Sequence, residues 1–377
     1  MGQVPDLPSA MKIKSIQATP FHHHREAPTG TAGTPARLQP STSALRWAEN
    51  YPVIYSSHFE TAIIRIELDS GEIGWGESQA PVAPEVACAV VNHILAPVLQ
   101  ETSFDGTIEE IQSLWWKMYS TMRVRGQTGG FMLDGIAGVD LALWDLAGKI
   151  AGVPVSSLIG PHRKSVPAYL SGLPAGDPTH AAGFTHVKIF HDSTVDHLLR
   201  TLDALSIKVA VDALWRLTSE TARDLAPALE ARSVQWLEAP LAPESAEAHG
   251  ALAAAIATPI AIGESYRTLF ELDPFFAAGA MEIVQPDLGR TGITEALRIA
   301  RAAEARGLVV IPHVSIALGP QIAAAIHFAS AIPNCPMLEF NPNVLSVANR
   351  FLEEPIRFEE ANYFVPESPG LGVKLET

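Results

Sequence analysis

Residues 207–213 read IKVAVDA, residues 234–240 VQWLEAP and residues 260–265 IAIGES. Each is a short apolar, β-rich run that ends at an acid (Asp212, Glu238 or Glu264), and each is followed by helical periodicity. The pattern continues outward in THVKIF (185–190), EIVQPD (282–287), VVIPHV (309–314) and MLEF (337–340), with SVPAYLSG (165–172) ahead of them. The ionisable residues closing these runs are Lys188, Asp212, Glu238, Glu264, Asp287, His313 and Glu339, spaced 23–26 residues apart. Eight strands at this spacing predict an α/β fold of the (β/α)8 barrel type, whose chemistry belongs at the C-terminal strand ends. Alternation along residues 186–190 puts His186, Lys188 and Phe190 on one face, and the barrel reading aims Lys188 into the mouth.

The chain ahead of the barrel has a different texture. Residues 12–19, KIKSIQAT, alternate like a half-buried strand, and TAIIRIELDSGEIGWGES (61–78) reads as a hairpin turning at Asp69–Gly71. Helical periodicity then runs to GIAGVDLALWDLAGKIAG (135–152), which carries its own glycine stop. These signals predict an N-terminal α+β domain over 11–151 and a barrel over 163–345. The Pro- and Gly-rich stretch REAPTGTAGTPARLQPSTSA (25–44) is long for a connector, so a lid is expected at about 21–50. His22, His23 and His24 fall in it; a metal cluster, a substrate clamp and ordinary loop polarity all remain open for this run.

Composition narrows the function classes. The chain has 377 residues, is 47% hydrophobic and carries a net charge of −15, with no basic cluster, which argues against a nucleic-acid partner. No apolar run approaches the ~20 residues of a membrane span, and the N-terminus lacks a signal-peptide pattern. Cys88 and Cys335 have no metal or redox spacing and read as free thiols of a cytoplasmic protein.

The strand ends carry the chemistry. Asp212, Glu238 and Glu264 close consecutive strands roughly 5 Å apart, and an all-oxygen trio favours a hard cation, Mg2+ above all. Any one of them alone could cap a helix or pair with a base; three in register would repel one another without a cation. Asp287 and His313 close neighbouring strands, and a carboxylate beside an imidazole makes a general base. Glu339 returns the ring to Lys188, as an acid donor or an ion-pair partner.

This constellation resembles the enolase superfamily and, within it, the mandelate racemase subgroup. The metal-ligand motifs there are similar to VAVDALW, WLEAP and IGES, the Asp–His dyad to QPD and IPH, and the electrophilic Glu to LEF. The resemblance covers essentially the whole chain. It implies a modified TIM barrel, (β/α)7β, under an N-terminal α+β capping domain to which a C-terminal segment over 346–377 returns, with a homo-oligomer (dimer or octamer) as the assembly. By the same resemblance, Mg2+ on Asp212, Glu238 and Glu264 binds a small-molecule carboxylate substrate. His313, oriented by Asp287, removes its α-proton through a metal-stabilised enediolate. Lys188 neutralises the carboxylate, and Glu339, if kept protonated, hydrogen-bonds the developing oxyanion.

Two departures sharpen the expectation. Many relatives carry Lys-x-Lys where this chain has Lys188-Ile189-Phe190, so the position of a second base is apolar. Leu214 stands where some sugar-acid dehydratases place a catalytic His. Inversion of a stereocentre needs a base on each face, whereas β-elimination can use one. The expected activity is therefore dehydration of an aldonate or aldarate to a 2-keto-3-deoxy acid. A racemase or epimerase is the runner-up, and a catalytically silent sugar-acid binding protein the reading from another class.

Overall fold

The computed structural model describes residues 11–24, 45–48, 53–172, 181 and 183–376. Most of the expected lid, residues 25–44 and 49–50, lies outside the described residues. Its first described part is strand and not loop: β1 (Met11–His24) runs through all three histidines. Strands β2 (Leu45–Ala48) and β3 (Val53–Ser56) then form a short antiparallel pair.

The N-terminal sheet consists of β1, β4 (His58–Leu68), β5 (Ile73–Ser78) and β6 (Ser103–Phe104) in the order β5-β4-β1-β6. Helices α1 (Pro84–Val90) and α2 (Ala96–Leu99) are joined by a π-turn over 91–95, and α3 (Ile108–Arg123) starts at the Thr107 cap. Helix α4 (Gly130–Ala151) is buried along nearly its whole length and stops at Gly152, whose φ of 67° is the left-handed C-cap conformation. Its close seat on β5 depends on missing side chains: a Cβ on Gly76 would lie 2.0 Å from the Gly138 carbonyl oxygen. A short helix, α5 (Val155–Ile159), leads on to the barrel.

Eight parallel strands make the barrel: β7 (Ser165–Ser171), β8 (His186–Phe190), β9 (Lys208–Asp212), β10 (Leu237–Glu238), β11 (Ile260–Ile262), β12 (Ile283–Val284), β13 (Val309–Val310) and β14 (Leu338–Phe340). They run in spatial order β14-β7-β8-β9-β10-β11-β12-β13. Among the described residues no ladder joins β13 to β14; the seam carries a bond from Val310 N to Asn334 O at 2.9 Å and one from Val314 N to the Glu339 carboxylate at 3.0 Å. Tyr169, Ala210, Trp236, Ala261, Ile283 and Ile311 fill the interior, large beside small, with Tyr169 and Trp236 edge to face at 5.4 Å.

Helices α6 (Val195–Ala204), α7 (Ser219–Glu230), α8 (Ala246–Ala253), α9 (Leu269–Ala277), α10 (Leu288–Glu304) and α11 (Pro320–Ala331) connect successive strands from β8 to β14. The first five start at side-chain caps, Thr194, Thr218, Ser245, Thr268 and Asp287, which satisfy otherwise unpaired amides. Helix α11 starts at Gly319, which offers no side chain, and the buried Glu77 of β5 supplies the carboxylate instead, accepting from Gly319 N and Gln321 N at 3.1 Å. After α12 (Pro342–Ala348) the chain returns as a hairpin of β15 (Phe358–Glu359) and β16 (Asn362–Phe364), the latter antiparallel to β7. Among the described residues no helix is long and apolar enough to cross a membrane.

Helix α10 holds the two sheets together through α4. Its Gly292 has φ 66° and ψ 179°, a break that lets Thr294 N and Oγ1 both reach the fully buried Asp140 of α4. A Cβ on Gly292 would sit 2.4 Å from Asp140 Oδ2 in a backbone conformation L-residues rarely adopt. Gly292→Ala is therefore expected to cost about 2–4 kcal/mol and to lower the thermal midpoint by about 5 °C or more. A midpoint within about 1 °C of wild type in a calorimetric scan would contradict this role.

Candidate active site

The C-terminal strand ends gather round Lys188. The residue is 1% exposed, and its Nζ pairs with Glu238, with Glu339 Oε1 at 2.9 Å and with Asp212 Oδ2 at 3.7 Å. Strand register explains the meeting: Asp212 lies opposite Glu238, Lys188 opposite Ser171, and Glu339 opposite Tyr169 on the strand beyond. The Tyr169 and Phe190 rings each lie 5.9 Å from Nζ, so Phe190 adds an apolar wall where a second base would stand.

The acids share this charge unequally. Burial works against the Lys188 ammonium, but Glu238 and Glu339 hold its pKa well above the ordinary value. Burial likewise opposes ionisation of Glu339; Lys188 and His313 overcome it and bring its pKa down to about 2. This value and the 2.9 Å contact favour the ion-pair role for Glu339, one of the two roles open to it from the sequence. Asp212 goes the other way, raised by burial and then by the neighbouring Glu238 charge.

Across the barrel from Lys188, Asp287 Oδ2 lies 2.8 Å from His313 Nδ1. Asp287 is also the cap of α10; its Oδ1 accepts from Gly289 N at 2.9 Å and Gln321 Nε2 at 3.0 Å. One carboxylate therefore both caps α10 and holds the His313 ring. The other ring nitrogen, Nε2, points at Glu264 Oε2, 3.1 Å away. Burial lowers the His313 pKa, but the Glu264, Glu339 and Asp287 carboxylates together push it up to about 10.

The trio Asp212, Glu238 and Glu264 comes together only in part. Glu264 lies two residues past β11 and turns to His313 and to Trp215, whose Nε1 donates at 2.7 Å. Among the described residues, these three acids do not have ligand atoms all within 4.8 Å of one another. Their chemistry nevertheless suits a hard dication. Three buried carboxylates face one lysine, and Asp212 is raised by burial first and by the neighbouring Glu238 charge second. A cation held by Asp212, Glu238 and a Glu264 turned inward would offset that charge.

Four residues of the site escaped the sequence reading. Trp236 Nε1 and Gln285 Nε2 donate to Glu238 Oε2 at 3.1 and 2.8 Å, while Trp215 holds Glu264 and Gln321 holds Asp287. Trp236 was readable, since it precedes Glu238 by two and shares its strand face. Gln285 likewise sits two before Asp287. Trp215 was hidden because it and Leu214 take positive φ, 59° and 55°, which turns the chain sharply after Asp212.

Comparison with known proteins agrees with this geometry. Residues 47–160 match the mandelate racemase/muconate lactonizing enzyme N-terminal domain, and residues 176–377 the enolase C-terminal domain-like family. The chain is 30% identical to D-galactarolactone cycloisomerase of Agrobacterium fabrum over 83% of its length and 88% of that protein. It is 33% identical to D-galactonate dehydratase of Verminephrobacter eiseniae, with the same coverage of both chains. A solved member of the enolase superfamily from Agrobacterium tumefaciens superposes with a TM-score of 0.90 at 27% identity, covering 98% of this chain and 97% of that one. A barrel whose strand ends present this ring of acids around one lysine, under an α+β cap, therefore belongs to an enzyme of the enolase superfamily, in its mandelate racemase/muconate lactonizing enzyme branch.

Proposed function

We propose that the chain is a Mg2+-dependent dehydratase of a sugar acid, an aldonate or aldarate, forming a 2-keto-3-deoxy acid. One-sidedness carries the reading: a dyad that can take and return a proton stands just beyond the ends of β12 and β13, while β8 offers Phe190, and no second base, two residues after Lys188. Asp287 accepts the Nδ1 proton of His313, and once Glu264 turns inward to the cation and leaves Nε2, that nitrogen would be free to act as the basic atom. His313 Nε2 takes the proton from C2, and the electron pair moves toward the carboxylate. As the C3–O bond breaks, the same imidazolium gives its proton to the departing hydroxyl, and water leaves. The enol then takes a proton at C3 as its C2 hydroxyl gives its proton to solvent, and becomes the ketone. Lys188, fixed by Glu339 and Glu238, faces the substrate carboxylate as a counter-charge. A dication held by Asp212, Glu238 and Glu264 would supply the positive charge that stabilises the growing negative charge.

Similarity to a galactarolactone cycloisomerase supports a second reading, in which the leaving group is the ring carboxylate of a lactone. One base again suffices. Racemisation is less favoured because Phe190 offers no proton acceptor.

Two measurements test these readings. Incubated with Mg2+ and a stereochemically complete panel of aldonates, aldarates and their lactones, the protein is expected to form a 2-keto acid from at least one open-chain acid. Turnover of lactones alone selects the cycloisomerase, and no keto acid from any member refutes both. Mg2+ is also expected to raise the thermal midpoint, by about 2.7 kcal/mol of stability at a hundredfold excess over Kd. Glu238→Gln should lose that increment; an equal Mg2+ response in the variant would place the ion elsewhere.

A further inference from the structure

A second group of ligands lies in the N-terminal sheet, where β1 and β4 pair. His22 is opposite Glu60 and His24 opposite His58, so His22, Glu60 and His58 share one face of the pair. Among the described residues, these three form the single set of His, Cys, Asp or Glu side chains with ligand atoms all within 4.8 Å of one another.

Glu60 Oε1 lies 3.3 Å from His22 Nδ1 and 3.6 Å from His58 Nδ1. The first is a long hydrogen bond and the second is beyond hydrogen-bond reach. The first also equals the edge of a tetrahedron of ligands around zinc, about 3.3 Å for bonds near 2.0–2.1 Å, and the second is a few tenths of an ångström longer. The other nitrogen of His22 supplies an independent observation: Nε2 is 2.8 Å from Glu85 Oε1 on α1. A histidine that binds a metal through one nitrogen characteristically donates the other N–H to a carboxylate, which orients the ring and raises its basicity. Glu60 is 3% exposed, whereas the His22 and His58 side chains are 39% and 33% exposed. The carboxylate therefore forms a fixed floor beneath two partly exposed imidazoles.

We propose that His22, His58 and Glu60 bind one borderline divalent cation of the zinc class, with Glu85 orienting His22 and water in the fourth position. Two imidazoles and one carboxylate differ in kind from the all-oxygen donor set at the barrel mouth, and the two sites would select different metals. The site ties the end of β1 to the start of β4 and to α1, whatever the barrel catalyses.

Co2+ tests it, because the tetrahedral ion absorbs far more strongly in the visible than the octahedral ion. Full-length protein, stripped with chelator and kept in excess Mg2+, is titrated with Co2+. One equivalent is expected to produce intense visible bands. His22→Gln and His58→Gln, each at a half-exposed position, should abolish them while keeping the wild-type circular dichroism. Glu85→Gln should weaken binding about 10- to 100-fold, and Glu264→Gln should leave the bands intact. Absent bands in the wild type, bands that survive His58→Gln, or bands lost only in Glu264→Gln would each overturn the assignment.

Discussion

The structure depends on one buried ammonium. Lys188 is enclosed by Glu238, Glu339 and Asp212, and each of these acids ends a different strand of the barrel. A pair of unit charges about 3 Å apart attracts by roughly 5 kcal/mol at an effective dielectric of 20, while desolvation costs several kcal/mol per ion. A lone pair would gain little, so the cluster persists because one cation serves three anions at once. The arrangement also sets three carboxylates against one ammonium, an excess of negative charge wherever all three are ionised. The same feature that draws the strand ends together thus makes the mouth of the barrel a place for a further cation.

Buried acids also join the two sheets to one another. Glu77 of β5 caps α11, Asp140 of α4 takes both donors of Thr294, and Asp145 of α4 accepts from Trp75 N and Leu371 N at 2.8 Å. Each satisfies backbone amides that would otherwise be buried unpaired, a penalty of about 1–3 kcal/mol apiece. Burial raises the pKa of Glu77 and of Asp140 to about 7. The cap therefore meets the barrel through directional bonds to specific amides, and the relative position of the two is set by chemistry as well as by apolar area.

Much of this was legible in the sequence, because a barrel of short strands writes its active-site ring at a fixed spacing. Lys188, Asp212, Glu238, Asp287, His313 and Glu339 stand where the 23–26-residue spacing puts them. What the spacing did not carry was side-chain direction. Glu264 turns toward His313 and Trp215, a choice made by the fold of the loop after β11. Glu339 is ionised because Lys188 reaches it, and no feature of MLEF announces that. The histidine run left a metal cluster, a substrate clamp and loop polarity open, because its cross-strand register with residues 58 and 60 is not written in the run itself. His23, on the opposite face, packs edge to face against Phe351 at 5.2 Å.

The claim at the centre of this account is that one base, His313, performs the proton chemistry and that nothing replaces it on the Phe190 side. Exchange of the C2 proton of a turned-over acid in D2O, followed by NMR in wild type and in His313→Asn, tests that claim most directly. Wild type is expected to yield a product with one deuterium at C3 and a substrate pool free of the C2 epimer, and the variant to show neither elimination nor exchange. Continued C2 exchange in His313→Asn, or epimer accumulating in wild type, would contradict the claim.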